Sequence, residues 1–140
     1  MLRPNKPLSL TILLLPALLA GCASKPPKPS FDDRMRTVTQ QDGKACVRQS
    51  DIRGFGSSRD SITIEGRRKK YYVATLLYDC PNLGTAFTIG FADRFNEICG
   101  GRGNLIAVGD STCRIKGLYE FDDRTAAFLA IEAVEKLMER

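Results

Sequence analysis

Five cysteines and no histidine bound the chemistry open to this 140-residue chain. Lacking His, it lacks the commonest general base and the commonest metal ligand. Ser-His-Asp and Cys-His catalysis and His-containing zinc sites are excluded. Cys46, Cys80, Cys99 and Cys113 are separated by 34, 19 and 14 residues, with Cys22 standing apart. No Cys-x-x-Cys pair is present to place two ligands on one zinc knuckle, so no metal or cofactor is expected. No His activates a thiol nucleophile either. Carboxylates are scattered: Asp32-Asp33, Asp60, Glu65, Asp79, Asp93 and Asp110. Asp79 with Asp93 is the pair that would favour a hydrolase if one cleft held both. Gly100-Gly101-Arg102-Gly103 lacks the Gly-Lys-Ser/Thr ending of a phosphate loop and precedes a strand, so it reads as a turn. The sharpest charge feature is Arg67-Arg68-Lys69-Lys70, before Tyr71-Tyr72. Four cations at a hairpin tip read either as a solvated turn whose charges discourage edge pairing or as a contact for an anionic surface, such as lipid phosphates, lipopolysaccharide or an acidic partner.

The N-terminus carries an address. Arg3 and Lys6 precede a run from Leu8 to Ala20 that is almost wholly apolar and contains Pro16. Thirteen residues are too few to span a bilayer, which takes roughly 20. Basic start, short apolar middle and small residues at the end describe a secretory signal peptide over residues 1–21. Its end, Leu19-Ala20-Gly21-Cys22, resembles the lipobox of bacterial lipoproteins. That resemblance implies cleavage before Cys22, a diacylglyceryl group on its thiol and an acyl chain such as palmitate on its new amino group. It also implies a cell-envelope protein anchored to a membrane. Ala23 is not the Asp linked to inner-membrane retention, so in a Gram-negative cell the outer membrane, facing the periplasm, is expected. The leader takes two of the 21 basic residues, leaving 19 against 16 acidic, a net charge of +3. So mildly basic a protein outside the cytoplasm is not expected to bind nucleic acid.

These groups need elements to position them. Residues 22–44 read as a lipidated Cys followed by a flexible tether. Ala23–Ser30 is Pro-rich, a semi-extended spacer reaching roughly 25 Å. Phe31–Lys44 is mostly polar and reads as loosely ordered, with Phe31, Met35 and Val38 available to dock or form one helical turn. From residue 45 to 121 short runs at strand spacing alternate with turn residues. The strands expected are 45–55, 61–65, 70–77, 85–91, 105–108 and 113–117. Six strands with short connections predict a mainly β fold, a small antiparallel meander curled or closed as a barrel. Residues 122–140 predict one amphipathic helix of about sixteen residues. Asp122-Asp123 marks its N-cap, and Ala127, Ala130, Ile131, Val134, Leu137 and Met138 form its apolar stripe. That stripe packs on the sheet or on a partner.

Four thiols in an oxidising compartment predict two disulfides. If the first strand meets the last as the sheet closes, Cys46 pairs with Cys113 and Cys80 with Cys99. Residues 45–119 contain Cys46-Val47-Arg48, Asp51-Ile52-Arg53-Gly54-Phe55, Cys80-Pro81-x-Leu83, Ile98-Cys99 and Cys113-Arg114-Ile115. This set resembles a family of small four-cysteine bacterial proteins of unknown function, and the helix after Phe121 lies beyond the pattern. The resemblance implies no activity. The expected function is a non-catalytic, membrane-anchored envelope lipoprotein that binds or braces an envelope protein or an anionic lipid. The alternatives are a lysozyme-inhibitor-like binding module and, third, a cell-wall hydrolase.

Overall fold

The computed structural model describes residues 21–85, 88–91 and 96–140. Residues 1–20 of the expected leader, Phe87 and Asp93 lie outside the described residues. The elements are α1 (Phe31–Thr39), β1 (Cys46–Arg48), β2 (Gly54–Ser57), β3 (Ser61–Glu65), β4 (Tyr71–Leu76), β5 (Ile89–Phe91), β6 (Glu97–Cys99), β7 (Leu105–Val108), β8 (Ser111–Phe121) and α2 (Arg124–Met138). The fold is mainly β, antiparallel along the whole of its six-stranded sheet, with a C-terminal helix. The sheet is ordered β2-β3-β4-β8-β7-β5, and β1 with β6 forms a separate two-stranded ribbon. A 3-10 turn at Leu83–Thr85, leading toward β5, packs against β2 at the opposite edge and nearly closes the sheet into a barrel.

The expected first strand, 45–55, is two short ones, because Gln49–Asp51 makes a 3-10 turn between them. The connections also exceed a simple meander. β8, eleven residues long, inserts between β4 and β7. It pairs with β4 along its second half and with β7 along its first. That insertion overturns the expected disulfide pairing. Cys46 is bonded to Cys99, its register partner across β1 and β6. Cys80 is bonded to Cys113 on β8. The expected meeting of first and last strands does not occur, because β1 pairs with β6 instead. Each bridge closes a loop of tens of residues and stabilises by roughly 3–4 kcal/mol in the chain-entropy account.

The sheet buries both faces. Ile62, Ile64, Tyr72, Ala74, Ile106, Val108, Ile115 and Leu118 fill the inner side with Val47 and Ile98 of the ribbon. Val73 and Tyr119 face the helices, against Phe31 and Met35 of α1 and Ala127, Ala130, Ile131 and Val134 of α2. Asp123 caps α2, its carboxylate accepting from the Ala126 amide at 2.8 Å. The stripe read from sequence packs on the sheet through its first four members, while Leu137 and Met138 stay exposed.

The tether is shorter than expected. Residues 31–39 are an ordered helix, not a loose continuation of the spacer. Ser30 starts it with a capping box: its hydroxyl accepts from the Asp33 amide at 3.2 Å, and Asp33 Oδ2 accepts from the Ser30 amide at 2.9 Å. Asp32, one residue earlier, is only 1% exposed. Its Oδ1 accepts from the Thr75 hydroxyl at 2.5 Å and the Tyr119 hydroxyl at 2.8 Å. Its Oδ2 accepts from Arg36 Nε at 3.0 Å, with Lys116 Nζ 3.8 Å away. Lys116 lies where the β4–β8 register slips: Thr75 faces Gly117 but Leu76 faces Ile115. The extra residue is a bulge. Gly117 leaves room for the carboxylate, since a Cβ there would collide with Asp32 Oδ1.

Two outcomes follow for solution work. Peptide mapping without reduction should recover Cys46 linked to Cys99 and Cys80 linked to Cys113; a Cys46–Cys113 peptide would contradict the register. Asp32→Ala should lower unfolding free energy by about 3–5 kcal/mol, as expected when one member of a buried charged cluster is removed. Asp33→Ala, which loses only a cap, should cost about 1 kcal/mol. Urea titrations of both variants make the comparison, and equal losses would contradict the structure.

Candidate functional site

β4 runs between two poles. It starts at Tyr71, beside the turn that joins it to β3, and ends at Leu76. Six residues span roughly 20 Å. At the first pole Arg67–Lys69 forms a tight 3-10 turn. Arg68 and Lys69 both have positive φ, 55° and 63°. Two consecutive non-glycine residues in the left-handed region cost roughly 1–2 kcal/mol each relative to a turn of Gly or Asn. The turn nevertheless carries two cations.

Structure divides the four-cation tip in half. Lys70 Nζ lies 2.8 Å from Asp122 and 2.9 Å from Glu120. Asp122, then Glu120, hold the Lys70 ammonium far above the usual lysine range, and Lys70 holds the Asp122 carboxyl below its own. Lys70 is thus tied by ion pairs to β8 and the residue before the α2 cap, not free as sequence alone suggested. Arg67 Nε lies 3.5 Å from Asp51. Arg68 and Lys69 are exposed and have no ion pair among the described residues. Asp51, Arg67, Arg68, Lys70 and Tyr72 line an open hollow of about 370 Å³ behind them, large enough for an anionic headgroup or a carboxylate side chain.

At the opposite pole a cleft of about 250 Å³ opens between the end of β4 and the end of α2. Arg59, Asp60, Leu77, Tyr78, Asp79 and Met138 line it, and so does Ser30, the last tether residue. The carboxylate that shares this cleft with Asp79 is Asp60. Sequence reading paired Asp79 with Asp93, which is outside the described residues. Cys80, also on the cleft, is held in its disulfide.

The remaining candidates are structural. The amides of Gly100 and Gly101 donate to the carbonyls of Ala45 and Lys116 at 2.9 and 2.8 Å, so they are not available to a phosphate. Gly100 is required there because a Cβ would strike the Gly43 carbonyl. Glu97 lies close to Cys46 and Cys99, but their sulfurs are bonded to each other and present no thiolate to a metal. Asp32, which sequence reading left in a loose tail, is buried with Thr75 and Tyr119. Its one visible signal was the Ser30-x-x-Asp33 spacing, a capping-box pattern. Burial first, then Asp32, pushes the Tyr119 phenol well above its usual range, so it serves as a donor.

The family model described as "Family of unknown function (DUF6491)" matches residues 5–136, and the chain belongs to that family. No curated protein and no solved structure matches it. The matched stretch extends through most of α2, well past the 45–119 pattern of the four-cysteine resemblance.

The divided tip makes a separable prediction. Arg68→Ser with Lys69→Ser should leave the thermal midpoint nearly unchanged, because exposed substitutions stay within about 0.5 kcal/mol each. Lys70→Ser alone should lower it at pH 7. Asp122 has a depressed folded-state pKa, so its contribution is present above the usual 3.8 and is lost as pH falls through the lower folded value. The raised Lys70 pKa keeps the ammonium charged throughout that range. The Lys70→Ser deficit should therefore shrink on acidification below about pH 4. Calorimetry across that range would show it, and a deficit independent of pH would place the effect elsewhere.

Proposed function

We propose that this protein is a non-catalytic lipoprotein of the bacterial envelope that braces two envelope components. Cys22 carries the lipid and holds the tether pole to one membrane. The far pole presents Arg68 and Lys69 to an anionic group on a second component. The observation that carries this reading is the tip itself: two consecutive cations in left-handed backbone, without ion-pair partners among the described residues. Strain retained in an exposed turn points to a contact made there. Supporting it, the matched family stretch includes all but the first four residues of the leader, with Leu19-Ala20-Gly21-Cys22. Ala23–Ser30 is exposed and without regular structure, as a spacer must be. Binding rather than catalysis is the reading for a chain that has no His to serve as general base.

Each near-surface cation contributes about 1 kcal/mol toward an anionic membrane, so one molecule binds weakly and many bind strongly. Two measurements follow. Cys22→Ser should release the protein from the membrane fraction of cells, and continued attachment would overturn the anchor. Lipidated protein in neutral vesicles should cluster added anionic vesicles, read by light scattering. Clustering should vanish with Arg68→Ser and Lys69→Ser, and also near 1 M salt, where the screening length is about 3 Å. Clustering that survives both changes would overturn the role of the tip.

A further inference from the structure

We infer that the tether pole is a seating surface: Leu77, Tyr78, Leu137 and Met138 dip into the interfacial layer of the bilayer that holds Cys22. The inference rests on the anchor proposed above and adds the orientation of the domain on it. Seven large apolar side chains are exposed among the described residues, and these are four of them. Tyr78 is the most exposed, at 75%. Leu77, Tyr78 and Met138 line one cleft, and Leu137 precedes Met138 in the last turn of α2. A tyrosine among aliphatic side chains is the composition of a membrane interface, where the ring meets acyl chains and the hydroxyl meets water.

The chain's own path names the occupant. Ser30, at the start of α1, lines the same cleft and stands eight positions after Cys22. A spacer of that length reaches roughly 25 Å, which keeps this pole within reach of the bilayer and holds the Arg68–Lys69 turn roughly a strand length farther out. Charge does not draw the cleft to lipid: it contains Arg59 against Asp60 and Asp79. Seating must then come from apolar contact, so it is indifferent to headgroup charge and to salt. This separates it from the tip, whose binding depends on both.

The chain has no tryptophan, so a single introduced one reports alone. Tyr78→Trp is the probe, and Phe55→Trp on the edge strand β2 is the reference. Among the described residues the buried core, disulfides and ion pairs lie from Ser30 onward, so the chain beginning at Cys22 keeps them. Its Cys22 thiol, free beside four bonded cysteines, is coupled to a maleimide lipid in vesicles with brominated acyl chains. The linkage is chemical, so the result does not depend on whether cells acylate Cys22; failure of the anchor is read separately, from the Cys22→Ser fractionation. Expected is a blue shift and severalfold stronger quenching at position 78 than at 55, equal in neutral and anionic vesicles. Adding Leu77→Asp, with the fold checked by circular dichroism, should reduce the quenching at 78. Equal quenching at the two positions, no quenching at 78, or quenching at 78 only in anionic vesicles would overturn the inference.

Discussion

A single buried carboxylate ties the outer layer of this protein to its sheet. Asp32 belongs to the first turn of α1, yet it is satisfied by Thr75 of β4 and Tyr119 of β8. Arg36 and Lys116 balance its charge from the edge of the cluster. Placing a carboxylate out of water is unfavourable unless hydrogen bonds and countercharge accompany it. Several local features follow from that requirement. Gly117 leaves the space, the bulge at Lys116 brings an ammonium to the helix side, and Arg36 sits one helical turn from Asp32. The hydrogen bonds meet only when α1, β4 and β8 are in register, so the cluster selects that docking from others of similar apolar area. Gln41 extends the attachment, bonding both the amide and the carbonyl of Glu120 on β8.

Elements with strong local periodicity were legible in the sequence. Strands β3 and β4 and helix α2 match the alternation and the apolar stripe, and the Asp123 cap was visible in the dipeptide before the helix. What failed depended on distant partners. Phe31–Thr39 reads as polar because its buried face has few apolar residues and one carboxylate, whose partners lie 43 and 87 residues away. The disulfide pairing required knowing that β8 enters between β4 and β7. A strand inserted out of sequence order leaves no local trace. The tip was visible as a charge run, but its division was not, because Lys70 finds Asp122 across 52 residues. The cleft at the tether pole joins the ends of β4 and α2 with the start of α1, and no linear pattern brings those together.

The two poles differ in kind. One carries exposed cations on a constrained turn, and the other carries apolar side chains around a nearly charge-balanced cleft. The sheet between them is buried on both faces; one covalent bridge ties β8 to the segment after β4, and the other closes the β1–β6 ribbon. That construction suits transmission of force or position between the poles better than internal motion. The nearly closed sheet also protects its edges: the 41–45 segment covers β8 beyond the start of β7, through bonds between Gly43, Ala45 and Leu118.

The bridges interleave, because Cys80 lies between Cys46 and Cys99, and Cys99 between Cys80 and Cys113. Every peptide bond from Cys46 to Cys113 is therefore enclosed by at least one covalent loop, and those from Cys80 to Cys99 by both. A protease that nicked the chain once anywhere in that interval would leave two fragments still joined. The severed domain would keep its link to Cys22 and to the helices packed over Asp32. Parting it from Cys22 by a single cut requires cleavage upstream of Cys46, in the spacer or the α1 segment. Ala23–Ser30, exposed throughout, is thus a stretch where a protease, rather than a reductant, can part the domain from Cys22.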